Sequence, residues 1–365
     1  YLVRLVNTDW LVAASDDAIR AAAKRVHELA VLRAFTATME SAIALAYTGQ
    51  GDTASIVSMV ADSAESIRNA ANTRAVTAIP IEHYVSAALE QIDQRANGAQ
   101  PDNVTPTRFD GLNRIITGLG EQDLIVLAAR PSMGKTAISL ALAEHAASPT
   151  EHGRDVLYFS TEQSGNALTY RMLGSASRVN VTKLKNGDLS SDDFSRLVEG
   201  AERIGDLRLE IDETSELTLP DLRARARAFA RKVRARGGKP MLVVDYLQRM
   251  TAHRSADPRL IYGEITTGLK NLAKELKAPV IVLAQLNREV EKRTNKRPMM
   301  SDLAESGKIE QDADIIIFLY RDEYYYPETR EPGITEAIVA KNRDGAIGFA
   351  KLLYDKATQR YDDIG

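Results

Sequence analysis

Hydrophobic positions change their spacing once along the chain, near residue 100. Residues 1 to about 75 are Ala-rich, nearly free of Gly and Pro, and follow a helical period. Ser15 is a candidate N-cap, and Gly49 is placed to close a long first helix. A second unit covers 79 to 96, where Pro80 suits a first helical turn. Ile81, Tyr84, Val85, Ala88, Leu89 and Ile92 form one apolar stripe at three-four spacing. Loop-like sequence flanks that stripe, so the helix must dock either on its own chain or on a neighbouring subunit. From about 106 onward, apolar runs rich in β-branched residues alternate with helical segments. They are Leu124–Ala128, Val156–Ser160, Met241–Asp245, Val280–Ala284 and Ile315–Leu319. Strands apolar on both faces and separated by helices predict an α/β fold with a mostly parallel sheet covered on each side. Glu336–Lys341 and Gly348–Tyr354 straddle Asp344-Gly345 and read as a hairpin.

Composition narrows the class. With 365 residues, 44% hydrophobic and 27% charged, the chain is a folded globular protein, and at about 150 residues per domain its length suggests two domains. Lys plus Arg is 47 against 50 Asp plus Glu, a net charge of −3, so any nucleic-acid contact must rest on a local basic site. The absence of Cys excludes disulfides, thiolate zinc sites and Cys nucleophiles, and suits a reducing compartment. The longest unbroken apolar run, Leu124–Ala129, is far shorter than the ~20 residues of a membrane span. Together with the lack of a signal-like opening, this leads to an expectation of no membrane partner and a cytoplasmic location. The chain begins on Tyr1 inside what reads as running structure, which predicts further sequence before it.

The strongest chemical signal is Ala129-Arg130-Pro131-Ser132-Met133-Gly134-Lys135-Thr136, after a strand and before the helix predicted over Ala137–Ala147. Backbone N–H groups of such a loop and helix N-terminus point at phosphate oxygens. Arg130, Ser132, Met133, Gly134, Lys135, Thr136 and Ala137 are thus candidate ATP-binding residues, with Lys135 toward the β/γ-phosphates and Thr136 toward Mg²⁺. Ala129 departs from the general pattern, which has Gly at that position. Four apolar residues ending in Asp245 supply the second metal-side acid, since a charge at such a tip needs pairing or coordination. Glu162, after the strand Val156–Ser160, is the candidate general base. Gln285, at the end of the next strand, is placed to sense the γ-phosphate or merely to cap the strand. Lys341 and Arg343, two apart on the hairpin, are either cations for a neighbour's γ-phosphate or solvated edge charges.

Six segments together carry a resemblance. They are 129–136, Phe159-Ser160-Thr161-Glu162, 244–248, 284–288, the pair Asp302–Gly307 with Glu310–Asp314, and 341–345. In order and context they resemble the motifs of the DnaB-type replicative DNA helicases over 106–365, and residues 1–105 resemble that family's helical N-terminal domain and linker more weakly. The resemblance implies a truncated helical domain over 1–75, a linker helix and loop over 76–105, and a RecA-like ATPase over 106–365. It also implies a homohexameric ring moving 5′ to 3′ on single-stranded DNA, with a primase and a helicase loader as partners. The stripe helix would dock on the adjacent ATPase domain, and Lys341 and Arg343 would serve the neighbour's ATP.

DNA contact is expected in the segment 287–307. There Arg288, Lys292 and Arg293 offer charge, while Glu305, Ser306 and Gly307 form the loop that touches the DNA backbone in the family. Ala304 stands where relatives often have Arg, which moves the expected phosphate contact onto main-chain groups. A denser basic run, Arg223 to Arg236, spirals around its helix and reads as a solvated outer surface. Tyr324-Tyr325-Tyr326 is expected to pack locally rather than to stack bases. Rival readings are a RecA-fold DNA-dependent ATPase of recombination or repair without processive unwinding, and a non-hydrolysing nucleotide-dependent assembly module. Lys135, Glu162 and Asp245 together argue against the latter.

Overall fold

The structure is a computed structural model and describes residues 16–49, 53, 56, 59–60, 63–64, 80–97, 103–150, 153–245, 258–303 and 306–364. The chain divides into two compact units, Tyr1–Asp93 and Gln94–Gly365. In the first, α1 spans Asp16–Thr48 and ends at Gly49, whose φ of 65° is the left-handed closure expected of a glycine there. The proposed cap Ser15 lies outside the described residues. Thr36, Thr38, Ser41 and Thr48 return their hydroxyls to the carbonyls of Leu32, Ala34, Ala37 and Ala44 at 2.9–3.0 Å, so α1 carries these residues without leaving their polar groups unpaired. An apolar stretch longer than Leu124–Ala129 lies in this helix. Leu29–Thr48, with a mean hydropathy of 1.4, is long and apolar enough by length and composition to cross a membrane, because scattered Arg33 and Glu40 only interrupt an Ala-rich run. Helix α2, Ile81–Ala96, begins after Pro80 and exposes its stripe, Ile81, Tyr84, Val85, Leu89 and Ile92.

The second unit is built on a nine-stranded sheet. Its strands are β3 (Leu124–Ala129), β4 (Asp155–Ser160), β5 (Leu209–Asp212), β6 (Pro240–Asp245), β7 (Val280–Gln285), β8 (Ile315–Tyr320), β9 (Ile334–Asn342), β10 (Gly348–Asp355) and β11 (Arg360–Asp363). A two-residue pairing of β1 (Val104–Thr105) with β2 (Leu119–Gly120) precedes it. The order is β11-β10-β9-β8-β3-β7-β6-β4-β5, with β8 through β5 parallel and β9, β10 and β11 antiparallel. All five strands predicted from apolar runs are present, as is the hairpin around Asp344-Gly345. Two edge strands escape sequence reading: β5 is short and half-exposed, and β11 reads Arg-Tyr-Asp-Asp.

Alternate residues of each central strand feed two cores. Ile125, Leu127 and Ala129 meet α3 (Asp110–Ile116) and α4 (Lys135–Ala147), together with buried Tyr361. Leu124, Val126 and Ala128 meet α8 (Leu219–Ala235) and α9 (Pro258–Leu276) on the other face. Between these lie α5 (Gly165–Ser177), α6 (Val181–Asn186) and α7 (Ser191–Gly205), and later α10 (Ser306–Asp312) and α11 (Asp322–Tyr325). Because β3, β7, β6 and β4 run the same way, the loops after them all emerge at one edge of the sheet, the usual ligand edge of such folds.

The opposite edge is pinned by Asp314. Buried just before β8, it accepts the Leu124 N–H at 2.8 Å and the Arg343 guanidinium at 3.0 Å, and pairs with Lys270 at 2.5 Å. Removing one member of a buried ionic cluster leaves the others uncompensated. Asp314→Ala is therefore expected to lower stability by about 3–5 kcal/mol, read as a lower urea midpoint at unchanged slope.

Candidate nucleotide site and the loops around it

The P-loop leaves β3 at Ala129, which is still an extended, buried strand residue in register with Gln285. The Gly of the general pattern is therefore not needed at this position, because no positive φ or close approach arises there. The turn falls further along, at Ser132 (φ 67°) and Gly134 (φ 91°). A side chain on Gly134 would collide with the Tyr361 hydroxyl, which itself donates to the Met133 carbonyl at 3.2 Å. Arg321 adds a contact to the Ser132 carbonyl at 3.5 Å. Helix α4 then starts at Lys135 with no side chain capping its first turn, so the N–H groups of that turn face outward as an anion site.

Asp245 ends β6 almost wholly buried. Its Oδ2 accepts from the Thr136 hydroxyl at 3.1 Å and from the Tyr158 hydroxyl at 3.3 Å, and Tyr158 also contacts Ser139 at 2.9 Å. Burial pushes the Asp245 carboxyl above the ordinary range, and the Lys135 ammonium and Thr136 hydroxyl oppose that push. The same burial pulls Lys135 down, against the attraction of Asp245 and Glu162. The Lys135 ammonium thus lies in the field of two carboxylates. Thr136 and Asp245 form an oxygen pair of the kind Mg²⁺ takes when phosphates and water complete its shell. No group of three or more His, Cys, Asp or Glu side chains placed to hold a metal ion exists among the described residues.

Glu162 is exposed at the same edge. The preceding Thr161 donates its N–H and hydroxyl to the Asp245 carbonyl at 2.8 and 2.9 Å, which stitches the end of β4 to the end of β6. Gln163 escapes sequence reading although it adjoins Glu162. It donates to the Thr136 hydroxyl at 3.3 Å and accepts from Arg171 at 3.0 Å. Gln285 ends β7 beside Ala129. The structure thus brings Lys135, Thr136, Asp245, Glu162 and Gln285 to one edge, and it separates Lys341 and Arg343 from them. Lys341 donates to the Glu310 and Ala313 carbonyls at 2.5 and 2.6 Å, and Arg343 pairs with Asp314 at the opposite edge.

Two candidate side chains are held by partners within the chain. The Arg130 guanidinium donates to Glu291 at 2.9 Å and to the Leu286 carbonyl at 2.8 Å, so it is engaged with the loop after β7. Arg293 pairs with buried Asp302 at 2.6 Å and closes the base of its loop instead of offering free charge. Arg288 and Lys292 remain exposed, the latter beside Glu289. Glu305 lies outside the described residues, as does the Ser306 side chain, and Gly307 is exposed in α10. The basic run on α8 is ion-paired: Arg225 to Asp212, Arg227 to Glu275, Lys232 to Glu210 and Arg236 to Asp155. Tyr325 stacks on Tyr320 at 6.0 Å and Tyr326 donates to the Thr294 carbonyl, which is local packing as expected.

Known proteins of similar sequence and fold agree with this geometry. The family model for the DnaB-like helicase C-terminal domain matches residues 105–363. The chain is 39% identical over 348 residues to the replicative DNA helicase DnaB of Pasteurella multocida, covering 93% of this chain and 73% of that protein. It is 36% identical over 352 residues to the replicative DNA helicase DnaC of Bacillus subtilis, covering 94% and 76%. Among solved structures, an isolated ATPase domain superposes with a TM-score of 0.72 at 33% identity, covering 78% of this chain and 99% of that one. A DnaB-like replicative helicase described with its primase interactions gives 0.70 at 31%, covering 86% and 80%. With a P-loop edge of this geometry and matches of this extent, the chain belongs to the DnaB-like replicative DNA helicases.

Proposed function

We propose that the protein is an ATP-driven helicase subunit that works in a homohexameric ring, moving 5′ to 3′ on single-stranded DNA in the cytoplasm. The observation that carries this reading is the division of catalytic groups between two edges of one sheet. Lys135, Thr136, Asp245 and Glu162 stand at the carboxyl edge, and Lys341 and Arg343 stand at the other. A single chain cannot bring both sets to one nucleotide, whereas a ring of subunits can. On this reading 1–75 is part of a helical collar, 76–105 a linker whose stripe seats on the neighbour, and 106–365 the motor.

In the motor, N–H groups of Ser132 to Ala137 and the Lys135 ammonium hold the β- and γ-phosphates of ATP. Bound Mg²⁺ supplies charge neutralisation between those phosphates, and Thr136 and Asp245 are the residues that would hold it. Glu162 orients the attacking water and takes its proton, and Gln285 senses the γ-phosphate beside it. Lys341 and Arg343 of the adjacent subunit stabilise charge on the transferring phosphoryl group, exchanging their present partners for it. DNA runs through the centre past Arg288, Lys292 and the backbone around Glu305, Ser306 and Gly307. A primase and a loader engage the assembled ring.

Glu162→Gln is expected to reduce DNA-stimulated ATP turnover by at least about 10²-fold while nucleotide still binds, measured by phosphate release and by fluorescent-nucleotide titration. Lys135→Ala and Arg343→Ala subunits are each expected to be inactive alone, and mixing them before assembly restores turnover at interfaces that combine an intact P-loop with an intact Arg343. A mixture as inactive as its parts contradicts a site completed in trans.

A further inference from the structure

We propose that Arg130 and Glu291 form the link that makes phosphate occupancy of the P-loop and the position of the loop 286–303 interdependent, with Glu291 acting as a positioning residue that touches neither ATP nor DNA. This rests on the reading of the P-loop as the ATP site and of that loop as a DNA-facing element.

Arg130 is the second residue of the phosphate loop, yet its side chain is 8% exposed and its guanidinium is spent on the neighbouring loop. Nε donates to Glu291 at 2.9 Å and Nη1 to the Leu286 carbonyl at 2.8 Å. A guanidinium held out of water needs such partners, so a shift of the P-loop backbone either drags them along or strands a buried charge. The backbone adds a second tie, because the Leu286 N–H donates to the Ala129 carbonyl at 3.1 Å.

What is dragged is a closed body. The neck of the loop is shut by the Leu286–Leu303 bridge, by the Asn287 N–H on the Asp302 carbonyl at 2.8 Å and by the Arg293–Asp302 pair. Glu291 sits in a single 3₁₀ turn, Arg288–Lys292, that packs around fully buried Val290 and carries exposed Arg288 and Lys292 at its ends. Displacing Glu291 therefore displaces both exposed cations. The far side of the loop is tethered differently: Arg297 pairs with buried Glu336 at 2.6 Å and lies 4.8 Å over Tyr320, while Lys296 lies 5.7 Å over Tyr325. The loop thus hangs from a fixed support on β8 and β9 and from a second support, Arg130, that belongs to the nucleotide site. A shift of that second support tilts the turn, and by reciprocity a DNA phosphate pulling on Arg288 or Lys292 is felt at the P-loop.

The test is Glu291→Gln in the assembled full chain, with Glu291→Ala as a second variant. ATP turnover is measured with and without an oligothymidylate, and oligothymidylate affinity is measured by fluorescence anisotropy in ADP and in AMP-PNP. Both variants are expected to keep wild-type melting temperature and DNA-free turnover within about twofold, while DNA stimulation falls at least about fivefold and the two nucleotides give the same DNA affinity. Undiminished stimulation with a preserved nucleotide effect on DNA affinity overturns the link. So does an equal fall of turnover with and without DNA, which marks a merely structural role. A wild-type protein whose turnover ignores DNA would instead overturn the underlying reading of the site.

Discussion

A carboxylate withdrawn from water at the tip of an apolar strand is the constraint on which the rest of this site depends. Asp245 ends a strand whose residues are all buried, and its charge is met by the Thr136 and Tyr158 hydroxyls and by the field of Lys135. Those groups come from β4 and the start of α4, so stabilising one carboxylate at the end of β6 sets the relative positions of the P-loop, Asp245 and the strand that presents Glu162. Burial shifts the Lys135 ammonium and the Asp245 carboxyl each against its charged form, a cost that the proposed Mg²⁺ and phosphate ligands would offset. A fold that satisfied the site internally would have less reason to bind them.

The sheet also separates functions by direction. Its parallel strands deliver the nucleotide groups to one edge, and the antiparallel return of β9 carries Lys341 and Arg343 to the other, where Asp314 holds the arginine. On the proposed reading, incompleteness of the single subunit follows from strand polarity. The small net charge of −3 is compatible with the proposed DNA-binding ring, because cations such as Arg225, Arg227 and Lys232 are spent on internal pairs while Arg288 and Lys292 stay exposed in the loop after β7.

The central strands were legible in the sequence because being buried on both faces makes them continuously apolar, and the P-loop, Asp245 and Glu162 followed from their ends. The edge strands were not: β5 and β11 owe their pairing to position, with half-exposed polar sequences that carry no period. Candidate cations were harder still. Arg130 and Arg293 have the right residue type in the right segment, but their partners, Glu291 and Asp302, become visible only once the chain has folded. Gln163 could have been found, since a second polar residue after a strand that already ends at the site lies within reach of it. The apolar stretch in α1 was missed because isolated Arg33 and Glu40 break the run without much lowering its mean hydropathy.

The most direct test of a ring motor with this polarity is strand displacement on a synthetic fork whose 5′ or 3′ tail is blocked in turn. ATP-dependent release of the partner strand is expected when the 5′ tail is open and to stop when only that tail is blocked. Release driven from the 3′ tail, or ATP turnover on the fork without any strand release, would contradict the account.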